Sequence, residues 1–136
     1  MAWVREAGAS ESPMHYMAKA FAAACLARRG ASVEAEVGSF KGADLLADGK
    51  LPVEVEALQG SGVRALRRLR ATAEKYGRGS EVLIAVPNPQ LMLILGEVCE
   101  LSKILAEEGY GARFATFDVG ELELVGLPEV LRRLGA

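Results

Sequence analysis

The sequence predicts an α/β domain in which a mixed central sheet is flanked by helices. Three short strand patterns follow one another early in the chain, and helix and strand patterns alternate after them. Strands joined by tight turns pair antiparallel, whereas strands joined through a helix pair in parallel. The chain has 136 residues, of which 51% are hydrophobic and 25% charged, a composition typical of one soluble globular domain. We therefore expect a single domain over residues 1–136 with the element order αβββαβαβα.

The first element is a helix with clear signals at both ends. Ser10 or Ser12 can cap its N-terminus, and Pro13 suits its first turn. Gly30 follows two arginines and ends the helix. Between these signals the sequence is rich in alanine and other helix-favouring residues.

Three strands follow the first helix. Residues 31–37 alternate apolar and acidic side chains, which is the period of a half-exposed strand. Residues 43–47 and 51–58 form the second and third strands, with Asp-Gly-Lys at 48–50 as the turn between them. The sequence therefore predicts an antiparallel meander before the alternating part.

The remaining elements alternate. A helix is predicted over 63–77, and the apolar run at 81–87 is typical of a strand buried on both faces. A long helix from 88 to 108, a fifth strand over 112–119 and a short helix over 127–135 complete the chain. The long helix carries a wide apolar surface over residues 90–108, which indicates either burial within the monomer or a homodimer interface.

Three acidic side chains converge on the predicted hairpin. Glu54 and Glu56 share one face of their strand because side chains alternate. A three-residue turn at 48–50 places Asp44 opposite Glu54, whereas a two-residue turn would send it to the other face. Two such charges about 5 Å apart repel by roughly 3 kcal/mol. Either water screens them on an open sheet face, or a divalent cation neutralises them.

A polar stripe on the first helix adds to this set. Glu11, His15 and Lys19 follow one another at intervals of four, so they share one helical face. Such a stripe is typical of a solvated helix surface, but here an acid at its start precedes Asp44 and Glu54 in the chain.

This constellation resembles the PD-(D/E)XK nuclease superfamily, the restriction-endonuclease-like proteins. That family has the core αβββαβ, a glutamate on the first helix, an aspartate that opens one strand and a (D/E)-x-K motif on the next. The matching residues are Glu11, Asp44, and Glu54 with Glu56. The resemblance covers about residues 10–87, and residues 88–136 would be a C-terminal αβα extension.

The resemblance implies a metal-dependent endonuclease that hydrolyses DNA phosphodiester bonds. Asp44, Glu54 and the backbone carbonyl of Val55 would bind Mg²⁺ or Mn²⁺, with Glu11 as an outer or second-metal ligand. The catalytic set would be Glu11, Asp44, Glu54 and Glu56. The metal would activate water and stabilise the leaving oxygen.

The family's lysine position is occupied by Glu56. Some restriction endonucleases of this superfamily carry such an E-x-E motif. The resemblance leaves water activation open among Glu56, Lys41 and Lys19. A degraded motif also fits an alternative function, in which a non-catalytic module keeps the nuclease fold and binds nucleic acid or protein.

The helix after the hairpin is strongly basic. Six basic residues face one acid between residues 62 and 78, in a chain of net charge −2. This helix is therefore the expected phosphate-contacting surface. The predicted nucleic-acid-binding residues are Gln59, Ser61, Arg64, Arg67, Arg68 and Lys75.

The stretch GSGVRA at 60–65 also fits a dinucleotide-binding fingerprint. That fold expects an apolar first strand and an acid at the end of the next one. The preceding strand instead carries two glutamates, and the next ends in Val-Pro-Asn. The nuclease-like interpretation is therefore preferred.

The sequence also predicts a cytoplasmic location. Its two cysteines lack metal-ligand spacing and suit a reducing compartment. Glu6 and Glu11 near the N-terminus argue against a signal peptide. No apolar run is long enough to span a membrane.

Overall fold

The computed structural model describes residues 12–37, 42–57 and 62–135. Within these ranges the chain forms five helices and six strands. In chain order they are α1 (Pro13–Arg28), β1 (Val33–Val37), β2 (Ala43–Ala47), β3 (Leu51–Val55), α2 (Gly62–Lys75), β4 (Glu81–Ala85), α3 (Asn88–Leu93), α4 (Leu95–Glu107), β5 (Gly111–Asp118), β6 (Glu123–Gly126) and α5 (Leu127–Arg133).

The strands form one sheet of six in the order β1-β2-β3-β4-β5-β6. The hairpins β1–β2, β2–β3 and β5–β6 are antiparallel. The pairs β3–β4 and β4–β5 are parallel because α2 and the α3–α4 segment lie between their strands in the chain. The predicted α/β class with a mixed sheet is therefore confirmed. The nuclease-like character of its core stays a prediction.

Helices cover both faces of the sheet. On one face α1 packs its alanine-rich side over an apolar core, whose buried members are Ala18, Ala22, Ala23, Leu45, Val53, Val55, Ala85 and Phe117. On the other face α2 and α4 cover a larger core, which includes Leu69, Ile84, Val98, Leu105 and Phe114. The core beneath α1 therefore consists largely of small side chains, whereas the core beneath α2 and α4 contains larger ones.

The β2–β3 hairpin has the three-residue turn that the sequence analysis required. Ala47 pairs with Leu51 and Leu45 pairs with Val53, so residues 48–50 form the turn. Asp48 and Gly49 both adopt positive φ there, at 53° and 69°, which Asp and Gly tolerate better than most residues. Extending the register by one residue places Asp44 opposite Glu54.

Two elements differ from the prediction. The helix expected over 88–108 is two helices, because Ile94 leaves helical geometry with φ −129° and ψ 24°. Its side chain is buried and lies against the start of α2, so tertiary packing overrides a continuous apolar pattern. β6 was not predicted. It follows a turn in which Leu122 adopts a positive φ of 53°, a conformation that no leucine would signal.

Part of the apolar surface of the 90–108 segment is buried within the monomer, whereas Leu93 and Ile104 stay exposed. Leu91, Ile94, Val98, Leu101 and Leu105 are all buried in the core beneath α3 and α4. A homodimer through this segment stays a prediction. Among the described residues, no helix has the length and apolar character that crossing a bilayer requires. Both cysteines are free thiols.

Candidate functional site

The candidate site lies where β2 begins and β3 ends. Asp44 Oδ2 accepts a hydrogen bond from the backbone N–H of Val55 at 2.8 Å. His15, on the first turn of α1, places Nε2 3.3 Å from the same oxygen. Ser12 caps α1 by accepting from the backbone N–H of His15 at 3.1 Å, which fixes the start of the helix. The structure thus brings His15 and Asp44 together, 29 residues apart in sequence.

Glu54 is buried beneath α2. Its carboxylate Oε2 accepts from Lys75 Nζ at 2.7 Å and from the Tyr76 hydroxyl. Only 6% of the residue is exposed. Burial raises the pKa of Glu54 above its ordinary value, and the charge of Asp44 raises it further, while Lys75 and Tyr76 counteract the effect. Burial and the Glu54 carboxylate also raise the pKa of the Tyr76 hydroxyl, which therefore stays a donor.

Glu56 has an equivalent arrangement one turn earlier along α2. Arg68 Nε donates to its Oε2 at 2.7 Å, and Thr72 Oγ1 lies 3.0 Å from its Oε1. Glu56 is also 6% exposed. The protein's own basic helix covers these two glutamates and places a cation beside each. The expectation of a sheet face open to water is therefore wrong, whereas a divalent cation at this face stays a prediction.

The basic side chains of α2 fall into two groups. Arg68 and Lys75 point at the sheet and pair with Glu56 and Glu54, although 67% and 39% of their side chains stay exposed. Arg64 and Arg67 are exposed, and within the described ranges neither has an ion-pair partner. The structure describes four of the predicted phosphate-contacting residues. Among these four, Arg64 and Arg67 are the two without an ion-pair partner in the described residues.

The other predicted residues are placed as follows. Lys19 is only 3% exposed and lies within the buried part of α1. Glu11, Lys41, Gln59 and Ser61 lie outside the described residues.

Two carboxylate oxygens of the site have no hydrogen-bond donor among the described residues. They are Oδ1 of Asp44 and Oε1 of Glu54, since every donor described for either side chain uses the other oxygen. The backbone N–H of Glu56 bonds to β4 at Ala85. Val55 therefore directs its N–H and its carbonyl toward the β2 side, where Asp44 lies.

This donor set suits a hard cation. No three His, Cys, Asp or Glu side chains converge within residues 12–37, 42–57 and 62–135. Mg²⁺, however, commonly takes only one or two protein carboxylates and fills its remaining positions with water and substrate phosphate. Asp44, Glu54 and the Val55 carbonyl offer oxygen atoms of that kind.

Sequence reasoning missed the partners of the two glutamates. The sequence predicts Lys75 as a phosphate ligand and Tyr76 as an inward-facing apolar residue, and it does not indicate that Thr72 and Tyr76 contact the glutamates. A signal was present, since Arg68, Thr72 and Lys75 are spaced at i, i+4 and i+7 and form a polar stripe on α2. A helix in a right-handed β-α-β crossover packs on one sheet face. The polar stripe of α2 could therefore contact the glutamates on β3.

The fold and site define an α/β protein with buried carboxylates at a strand end, paired to a basic helix. Comparison with protein-family models, with curated proteins and with solved structures finds no match for this chain.

Proposed function

We propose that this protein is a divalent-metal-dependent nuclease that hydrolyses phosphodiester bonds in DNA. The observation that carries the proposal is the β2–β3 register, in which Leu45 pairs with Val53 and the next residues along the two strands are Asp44 and Glu54. Each of these carboxylates keeps one oxygen without a donor among the described residues, and Lys75 lies 2.7 Å from Glu54. Two neighbouring acids, one of them bound by a lysine, are a chemically sensible set for phosphoryl transfer.

In this proposal Asp44, Glu54 and the Val55 carbonyl hold Mg²⁺ or Mn²⁺. When bound, the metal supplies a Lewis acid that polarises a phosphoryl oxygen and acidifies water. Lys75 and Tyr76 orient Glu54 by binding the same oxygen, Oε2, which leaves Oε1 for the metal. His15 holds Asp44 in the same way through Oδ2. These contacts fix both ligands before substrate arrives, as preorganisation requires.

Lys75 takes the part that the resemblance assigns to the motif lysine. The three candidates considered from sequence were Glu56, Lys41 and Lys19. Glu56 is engaged by Arg68 and Thr72, and Lys19 is buried within α1. Lys75 instead contacts a proposed metal ligand directly and keeps 39% of its side chain exposed, so it can also face substrate.

DNA would contact the exposed side of α2. Arg64 lies four residues before Arg68, so it extends the stripe that ends at the acidic site. Arg64 and Arg67 are exposed and have no ion-pair partner in the described part of the chain. Arginine binds phosphate oxygens through two parallel hydrogen bonds, and this cluster adjoins the proposed metal ligands.

The test is a nicking assay on supercoiled plasmid with Mg²⁺ or Mn²⁺. We expect cleavage by the native chain and none by Asp44→Asn or Glu54→Gln. Glu34→Gln is the matched control, since Glu34 is an exposed strand acid on β1. Equal activity in all three variants would indicate a contaminating nuclease and overturn the proposal. A parallel assay with single-stranded RNA of the same length tests whether the enzyme prefers DNA over RNA.

A second function is favoured by one observation. Lys75 and Arg68 already neutralise Glu54 and Glu56, so the fold needs no metal for charge balance. A non-catalytic nucleic-acid-binding module would then use Arg64 and Arg67 alone. It predicts DNA binding in EDTA that survives Asp44→Asn but is lost in Arg64→Glu with Arg67→Glu, and no cleavage under any condition.

A further inference from the structure

The first half of β5 has no partner strand on its outer side within the described residues. β4 pairs with β5 from Gly111 onward, whereas β6 pairs only with residues 115–118. The Ala115–Gly126 pair also engages the outward carbonyl of Phe114, because Ala115 itself bonds to β4. Residues 111–113 therefore form an open sheet edge beside the start of α5, which is about 10 Å long at about 3.3 Å per residue.

Backbone groups at this edge point outward. The N–H of Val86 donates to Ala115 O at 2.9 Å, so Ala115 directs its polar groups toward β4. Successive residues of a strand direct theirs to opposite sides. Ala112 therefore directs its N–H and its carbonyl toward the open edge. Unpaired strand edges of this kind are templates for pairing with another chain.

The edge lies in a notch rather than on a flat rim. A cavity of about 480 Å³ opens beside it, with walls from both layers of the fold. On the α1 side it is lined by Cys25, Leu26 and Arg29, and on the other side by Ser102, Leu127 and Pro128. Because both layers of the fold flank the notch, it has room for a single added strand but not for a broad protein surface.

The two sides of the notch differ in charge. Arg29 and Arg113 line the α1 side, and 68% and 73% of their side chains are exposed. Their ion pairs, to Glu123 at 3.8 Å and to Glu81 at 3.0 Å, lie at the surface. Such pairs contribute little, so an incoming acid can replace them. The opposite side presents apolar Leu127 and Pro128.

We propose that this notch binds an extended segment of a partner protein, in which acidic and apolar residues alternate, as an added strand beside β5. Side chains of a strand alternate between its two faces. The acidic ones would meet Arg29 and Arg113, and the apolar ones Leu127 and Pro128. Main-chain hydrogen bonds to Ala112 would give affinity, as in other strand-addition complexes.

A second copy of this chain is a poorer occupant. Antiparallel self-pairing of residues 111–113 would bring Arg113 of each copy close to its counterpart and to Arg29. Like charges on neighbouring strands are destabilising. The charge of the notch therefore selects an acidic partner over self-association.

The probe is the fluorescein-labelled peptide Val-Glu-Val-Glu-Val, with Val-Lys-Val-Lys-Val as the reference, titrated with the full chain and followed by fluorescence anisotropy. We expect saturable binding of the acidic peptide only. Arg29→Glu combined with Arg113→Glu should weaken it by about tenfold or more. Lys50→Glu, an exposed lysine in the β2–β3 turn, carries the same kind of charge reversal and should not change it.

A backbone variant tests strand addition itself. Ala112→Pro removes one outward N–H without removing a bond to β4, so binding should fall about tenfold, with circular dichroism confirming the native fold. Equal affinity for both peptides, no binding at millimolar concentration, or an unchanged affinity in both variants overturns the proposal. A concentration-dependent dimer in sedimentation that Ala112→Pro abolishes would also overturn it, since the edge would then pair with itself.

Discussion

Lys75 Nζ lies 2.7 Å from Glu54 Oε2, and this contact explains how a glutamate can be buried under a helix. Arg68 repeats the arrangement with Glu56. The acids on β3 would repel each other if left alone, yet α2 provides a cation for each. An ion pair beneath a helix is not by itself a large source of stability, because both charges are desolvated. The arrangement therefore calls for tests that separate structural from chemical roles.

Ionised Glu54 is expected to reduce the stability of the fold. Burial raises its pKa above the ordinary value of 4.5, so the folded state holds this proton more tightly than the unfolded state does. Its stabilising contribution is complete below pH 4.5 and is lost as the pH rises through the raised pKa. Glu54→Gln should therefore gain melting temperature relative to the native chain as the pH is raised from 4.5 to 8.

Scanning calorimetry of both proteins without divalent metal measures this difference. A gap that stays constant across the range, or one that shrinks with rising pH, would show that Lys75 and Tyr76 outweigh the burial of Glu54.

Removal of Lys75 should destabilise the protein. Lys75→Met keeps the length of the side chain but leaves Glu54 with only the Tyr76 hydroxyl among its described donors. Breaking a buried ion pair costs more stability than breaking a surface pair, but Lys75 is partly exposed. We therefore expect the free energy of unfolding to fall by about 1–2 kcal/mol at pH 7. Urea denaturation measures it.

Lys103→Met is the control, because Lys103 pairs with Glu100 at the surface at 3.6 Å. It should change stability by less than about 0.5 kcal/mol. Adding Glu54→Gln to Lys75→Met should recover part of the lost stability. If the changes in unfolding free energy of the two single variants simply add in the double variant, the two residues are not directly coupled.

Glu56 should prove structural rather than catalytic. Glu56→Gln removes the charge that Arg68 binds but keeps an oxygen for Thr72. We expect a loss of about 1–2 kcal/mol in unfolding free energy and nicking activity within about twofold of native. Abolished cleavage in a folded Glu56→Gln protein would return this residue to the catalytic set that the sequence indicated.

Arg64 and Arg67 should contribute most of the salt dependence of DNA binding. Each phosphate contact that is removed lowers the slope of log K against log salt by about one. Arg64→Ala with Arg67→Ala should therefore reduce the slope by about two, measured by anisotropy with a labelled duplex. Lys50→Ala with Lys103→Ala removes equal charge elsewhere and should leave the slope unchanged. Identical slopes in the two double variants would exclude α2 as the DNA-binding surface.

The sequence predicts more of the hairpin than of its surroundings. The sequence marks the turn at 48–50 and shows that its length decides on which face Asp44 lies, and the structure has the three-residue turn. The break at Ile94 depends on burial against a distant element, which no local pattern reports, and β6 follows a turn whose positive φ at Leu122 no leucine signals. The pairing of Arg68 and Lys75 with the glutamates depends on how α2 lies across the sheet. The sequence shows that α2 carries basic residues and that β3 carries acidic ones, but it does not show that they contact each other.

Calorimetric titration with MnCl₂ and MgCl₂ at pH 8 tests most directly whether Asp44 and Glu54 together bind a divalent metal. A nonhydrolysable oligonucleotide is present to supply phosphate oxygens. We expect binding of about one metal per chain, which is lost in Asp44→Asn and retained in the control Glu34→Gln. No heat of binding up to millimolar metal in that complex, or equal binding by Asp44→Asn, would contradict a metal site at Asp44 and Glu54 and leave the acids as partners of α2 alone.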